Sequence, residues 1–180
     1  MSATPPTLRD SRAEDLARIT SIYAHHVLHG TGTFELEPPD EAELARRRDE
    51  VLGRGLPWLV AERDGKLLGF AYANVFRTRP AYRFCLEDSV YLAPDAQRQG
   101  VGRALLAQLL ARCEALGARQ MLAVIGDAEN TGSIALHRAL GFTHAGVLKS
   151  AGWKFGRWLD VVLMQRALGP GDGSPPDPGR

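Results

Sequence analysis

The stretch Gln97-Arg98-Gln99-Gly100-Val101-Gly102-Arg103 constrains this chain more than any other. It follows the apolar, β-branched run Ser89-Val90-Tyr91-Leu92 and opens the helical run Ala104 to Leu116. A strand, a glycine loop and a helix N-terminus in that order form an anion cradle, because unpaired backbone N–H groups and the helix dipole converge on the loop. The glycines let the backbone approach a phosphate with no Cβ in the way. The same segment demands a crossover to a parallel strand. Met121 to Ile125, a short continuous apolar run, reads as that covered central strand.

The rest of the chain arranges itself around this unit. Thr7-Leu8-Arg9 is a strand candidate, and Ser11 with Glu14 reads as a capping box. Leu16, Ile19, Ile22, Tyr23 and Val27 recur at helical spacing, which predicts a helix to about His29, broken by Gly30-Thr31-Gly32-Thr33. Asp40 and Glu43 cap a second helix from Glu41 to Leu52. Trp58 to Ala61 and Leu67 to Val75 are strands around the Asp64-Gly65 turn, and Phe84 to Leu92 is the next. Asn130 or Thr131 caps a helix to Leu140, stopped by Gly141. Phe142 to Leu148 and Trp158 to Met164 read as a final strand pair, and the Gly- and Pro-rich tail from Gly169 as disordered. The expected order is β-α-α-β-β-β-α-β-α-β-β. That is a mixed α/β fold with a largely antiparallel sheet, one domain over residues 1–168 and a tail over 169–180.

Composition excludes more than it specifies. With 22 basic and 21 acidic residues among 180, the net charge of +1 gives no reason to expect a nucleic-acid or membrane surface. Cys85 and Cys113 are isolated thiols that fit a reducing cytoplasm, and no targeting segment is read at the N-terminus. His25, His26 and His29 lack acidic or thiol companions at ligand spacing, so no metal is expected.

The loop is neither a P-loop, because no Gly-Lys-Ser/Thr follows, nor a dinucleotide fingerprint, because Gly-x-Gly-x-x-Gly is absent. Gln97, Gly100 and Gly102 fit Gln/Arg-x-x-Gly-x-Gly, which resembles the acetyl-CoA loop of the GNAT N-acetyltransferase superfamily. Asn130 to Phe142 resembles that superfamily's helix ending in Gly-Phe. Thr33-Phe34-Glu35, Arg77 with Tyr82, Leu86 to Leu92, Leu136-His137 and Lys154 with Trp158 to Val161 are similar to its phosphinothricin and methionine sulfoximine N-acetyltransferase branch. The likeness runs from about Leu8 to Arg166.

The resemblance implies a splayed, mostly antiparallel GNAT sheet, acetyl-CoA as co-substrate, a homodimer, and acetylation of the α-amine of a small amino acid or analogue. It implies that Val90, Tyr91, Leu92, Gln97, Arg98, Gln99, Gly100, Val101, Gly102, Arg103 and Asn130 hold acetyl-CoA. It implies further that Phe76, Arg77, Thr78, Leu86, Glu87 and Asp88 meet the substrate. Glu87 is the expected general base, since an amine must be neutral to attack a thioester. Asp88 points to the opposite face of its strand, so only one of the two carboxylates faces the acceptor. Many GNAT enzymes place a Tyr where this chain has Leu136-His137, which leaves His137 as candidate acid for the departing thiolate. Cys85 and Cys113 have no His partner in the motif set, so transfer is expected to be direct. Other acceptors (a protein N-terminus, a polyamine, an aminoglycoside) and a non-catalytic acyl-CoA sensor remain alternatives. Arg77, Arg79 and Arg83 argue against a polycationic acceptor.

Overall fold

The computed structural model describes residues 4–176. Strands β1 (Thr7–Asp10), β2 (Trp58–Arg63), β3 (Lys66–Val75), β4 (Cys85–Leu92), β5 (Gln120–Gly126), β6 (Thr143–Lys154) and β7 (Arg157–Ala167) form one sheet in the order β1-β2-β3-β4-β5-β7-β6. Helices α1 (Leu16–His29), α2 (Glu41–Gly53), α3 (Val101–Ala115) and α4 (Thr131–Ala139) connect them. This is the expected GNAT-type mixed α/β fold. Every described pairing is antiparallel except β4 with β5, the pair that the glycine-loop crossover demands.

Apolar periodicity explains the packing. Leu105, Leu106 and Leu109 share one face of α3 and are fully buried, as are Ile19 and Ile22 of α1. Each such side chain contributes about 1.5–3 kcal/mol of burial free energy. On the sheet, Trp58 stacks on Tyr72 at 4.2 Å between ring centroids, which fixes a tyrosine that faces the site described below.

Local boundaries differ from expectation where side chains compete. Instead of a Ser11–Glu14 capping box, Asp15 accepts from the Arg12 backbone N–H at 2.7 Å and is gripped by Arg9 at 2.8 Å, while Ser11 Oγ accepts from Arg48. Helix α3 starts at Val101 rather than Ala104 because Gly100 takes φ +78° and caps it. Strand β6 runs to Lys154 rather than Leu148. A register shift between Leu148 and Gly152 absorbs the extra residues, Ser150 takes φ +50°, and its N–H bonds Asp160 Oδ1 at 2.9 Å. In the tail, Arg119 donates to the carbonyl oxygens of Gly171 and Pro175, both at 3.0 Å. Residues 177–180 lie outside the described residues.

Candidate active site

Strands β4 and β5 pair only from Cys85↔Gln120 to Asp88↔Ala123 and then diverge. Backbone polar groups alternate edges along a strand. The Ala93 N–H bonds Leu68 O at 2.8 Å and the Phe76 N–H bonds Cys85 O at 3.2 Å, so the odd-numbered residues of β4 face β3. Val90 and Leu92 therefore turn their N–H and C=O groups toward the opening, where β5 no longer meets them. Helix α1 satisfies one of these groups, with His26 Nε2 donating to Leu92 O at 2.8 Å. Burial pulls the His26 pKa down, consistent with a neutral ring held as a donor. The opening is a cleft of about 1180 Å³ between Ser89–Leu92 and Ala123–Asp127.

The glycine loop stands at one end of this cleft. Gln97, Arg98, Gly100, Gly102 and Arg103 line it. Arg98 and Gly100 take φ +58° and +78°, left-handed backbone that Gly accepts without cost and Arg does not. A Cβ on Gly102 would stand 3.3 Å from Leu92 Cδ1 and 3.4 Å from Leu136 Cδ2, so a larger residue there would press on both leucine side chains. Two expected contacts turn away. Gln99 faces outward, accepting from Arg63 at 2.7 Å and donating to Asp95 O at 2.6 Å, and Val101 is buried in the core. Only their backbone groups remain for a ligand.

Glu87 lines the cleft on β4, half-buried. Burial foremost, then the charge of Asp88, push its carboxyl above the usual range, and the Arg77 guanidinium partly opposes them. Asp88 also borders the cleft, with one carboxylate oxygen committed to a partner inside the protein. It sits where the two strands part, and its Oδ2 accepts from His137 Nε2 at 2.9 Å, while its buried Oδ1 has no protein partner. His137 is also buried, and its Nδ1 lies 2.7 Å from Ser133 O, so neither ring nitrogen is free to act alone on a ligand. Burial pulls the ring's pKa down, but the Asp88 bond and charge with the Ser133 carbonyl outweigh it and hold the pKa above the ordinary value. Leu86 is 3% exposed, a core residue rather than a substrate contact. Phe76, Arg77 and Thr78 lie on the β3–β4 connection outside the cleft lining. There the Arg77 guanidinium covers the Phe76 ring at 4.7 Å and still reaches Glu87 electrostatically.

Asn130 caps α4, its Oδ1 accepting from the Ser133 N–H at 3.2 Å, with Nδ2 3.5 Å from Gly126 O and its side chain on the cleft. Sequence reading took Gly30 to Thr33 as a helix break and Thr33-Phe34-Glu35 as a family motif, and gave the Gly30–Phe34 loop no place in the site. That loop forms a cleft wall. Buried Lys154 donates to Thr33 O at 2.8 Å, and Tyr23 bonds both Thr33 Oγ1 at 3.0 Å and Glu35 at 2.7 Å. Phe34 fills space that exists because residues 126 and 152 are glycines. The Thr33-Phe34-Glu35 motif was the available signal. The His25 and His29 rings meet as a tilted pair at 4.9 Å and neither lines the cleft, and no group of three or more His, Cys, Asp or Glu suited to a metal occurs among the described residues. No described helix is long and apolar enough to cross a membrane.

Residues 18–142 match the Acetyltransferase (GNAT) family. The chain is 61% identical over 171 residues to phosphinothricin N-acetyltransferase of Alcaligenes faecalis, covering 95% of this chain and 87% of that protein. It is 36% identical to L-methionine sulfoximine/L-methionine sulfone acetyltransferase of Salmonella typhimurium, covering 90% and 94%. The crystal structure of a GNAT superfamily phosphinothricin acetyltransferase from Sinorhizobium meliloti in complex with AcCoA superposes with a TM-score of 0.95 at 52% identity, covering 98% of this chain and 95% of that one.

Proposed function

The chain belongs to the GNAT acetyltransferase family, and from that premise we propose that it acetylates the α-amine of phosphinothricin, methionine sulfoximine or methionine sulfone by direct transfer from acetyl-CoA. The observation that carries this reading is the coincidence, in one cleft, of a glycine-loop anion cradle, an unpaired β4 edge and the half-buried carboxylate of Glu87.

The residues present fit acetyl-CoA. Gly100 has open space around it, Gly102 is pressed against Leu92, and the first N–H groups of α3 have no helical partner, so the loop suits a pyrophosphate. Arg98 and Arg103 add charge at the same rim. The N–H and C=O groups of Val90 and the N–H of Leu92 suit an extended amide chain, and Asn130 stands across from them. Acetyl-CoA supplies the activated acetyl thioester.

The chain's own groups then do the proton and charge work. Glu87, desolvated and therefore more basic than an ordinary carboxylate, takes the proton of the attacking amine directly or through water. A backbone N–H from the open edge of β4 stabilises negative charge developing on the carbonyl oxygen, worth about 2.7–4 kcal/mol for one well-placed donor. Arg77, next to Glu87 on the β3–β4 connection, takes the acceptor carboxylate as a bidentate fork. Exposed Trp153, Phe155 and Trp158 on the β6–β7 hairpin support a homodimer through that arm.

Thiol release from acetyl-CoA over a panel of amines tests the reading. The panel holds phosphinothricin, methionine sulfoximine, methionine sulfone, an N-terminal peptide, spermidine and an aminoglycoside. Turnover concentrated in the first three supports it. Preference for a peptide or polyamine overturns the acceptor assignment, and binding of acetyl-CoA without turnover on any amine overturns the enzyme.

A further inference from the structure

The cleft contains a second line of proton-carrying groups, apart from Glu87. Asp88 Oδ2 lies 2.9 Å from His137 Nε2, and His137 Nδ1 lies 3.3 Å from Ser133 Oγ. Ser133, His137 and Asp88 all border the cleft, and Ser133 is part-exposed whereas Asp88 and His137 are buried. The three residues come from two elements. Asp88 ends the paired part of β4, and Ser133 and His137 stand one turn apart on α4. The order runs from a buried anion, through an imidazole, to a hydroxyl on the cleft surface.

We propose that Ser133 delivers the proton to the departing thiolate, recharged by His137 with Asp88 behind it. This inference rests on the acetyl-transfer reading above. The proton count closes. As the thioester C–S bond breaks, the Ser133 O–H bond breaks and an S–H bond forms. The Nδ1–H of His137 passes to Ser133 Oγ. The neutral ring, still bonded to Asp88 through Nε2–H, then takes a proton from solvent.

Three features favour a donor relay over an acylating serine. A base for Ser133 needs an unprotonated Nδ1, yet Nδ1 lies 2.7 Å from the Ser133 carbonyl oxygen, which can only accept. The ring is thus set to hold protons on both nitrogens. A buried carboxylate whose other oxygen lacks a partner is best matched by a cationic ring. Ser133 also sits in the first turn of α4, beside Thr131 and Gly132 on the cleft, where the helix N-terminus favours an anion such as a thiolate. Among the described titratable groups, those facing the relay are Asp88 and Glu87 from β4 and Cys113 from α3, the last kept as a thiol by burial.

The test compares Ser133→Ala, Ser133→Thr and His137→Gln with the wild type, using phosphinothricin and acetyl-CoA in single-turnover mode. Ser133→Ala should slow the transfer step by about 10²-fold, the lower end for general acid catalysis. Its dissociation constant for acetyl-CoA, from calorimetry, and its melting temperature should stay within error. Ser133→Thr should recover most of the rate. His137→Gln should slow transfer comparably and remove the basic limb of the pH–rate profile. Ring ¹⁵N spectra of the wild type should show a doubly protonated His137 at neutral pH, a readout that needs no turnover. Ser133→Ala transferring at the wild-type rate, a defect confined to acetyl-CoA affinity, or a neutral His137 ring below pH 7 each overturns the relay. Absence of turnover in the wild type overturns the acetyl-transfer reading instead.

Discussion

Gly152→Ala should damage the site from outside it. A Cβ at residue 152 falls inside van der Waals distance of three Phe34 ring atoms, of which the farthest, Cζ, is at 3.0 Å. The ring has little room to retreat, because a Cβ built on Gly126 would already lie 2.8 Å from Phe34 Cε1, and closer still to the Thr31 carbonyl oxygen. Forcing a methyl into such a contact costs about 1–3 kcal/mol. For a chain of this size, at about 2–4 °C per kcal/mol, the melting temperature should fall by about 2–12 °C. Phe34→Ala alone should cost about 2 kcal/mol, less than a full core truncation because the ring is only part-buried. Removing the ring removes the clash, so Gly152→Ala should then be nearly neutral. Urea unfolding of the four proteins gives the coupling directly, expected at about 1–3 kcal/mol in the sense of rescue. Costs that add to within about 0.5 kcal/mol would refute the claim that these glycines exist to seat Phe34.

Glu87→Gln should lower kcat by about 10²–10⁴-fold with little change in acetyl-CoA affinity. In the wild type the acid limb of kcat should stand above the ordinary carboxylate range, because the carboxyl's pKa is raised and it becomes a base only above that value, and this limb should vanish in the variant. Arg77→Ala should raise the KM for phosphinothricin by about 10-fold or more, the scale of a lost charge-assisted bond, and leave an acceptor lacking the carboxylate unaffected. His137 binds a proton more tightly folded than unfolded, so its pairing with Asp88 stabilises the fold fully below the unfolded pKa and loses that contribution as pH rises through the folded pKa. His137→Gln should accordingly destabilise more in urea melts at pH 6 than at pH 9.

The architecture was legible because its signals are periodic or stereochemical. Leu105, Leu106 and Leu109 mark one helical face, Met121 to Ile125 a covered strand, and Gly100 the sharp entry to α3. That Glu87, Arg98 and Arg103 would stand on one cleft was legible through their motifs. The rest depends on contacts distant in sequence. Nothing local says that Asp88 meets His137, 49 residues away. Nothing local says that Gln99 turns to Arg63. The Gly30–Phe34 wall was missed because its anchors, Lys154 and the two glycines under Phe34, lie about 90 to 120 residues downstream. The extension of β6 escaped notice because its bulge is held by Asp160 on the neighbouring strand.

Strands β4 and β5 share only the pairs from Cys85↔Gln120 to Asp88↔Ala123, and this short seam joins β1–β4 to β5–β7. Beyond that seam the two half-sheets share no β4–β5 rung. On the function proposed above, an acetyl donor lying along the open edge of β4 would be a structural member of the protein as well as its reagent. Ligand held at 100 times its dissociation constant adds about 2.7 kcal/mol to the folded state. The lifetime of the protein against unfolding and proteolysis would thereby be tied to the supply of the donor it consumes.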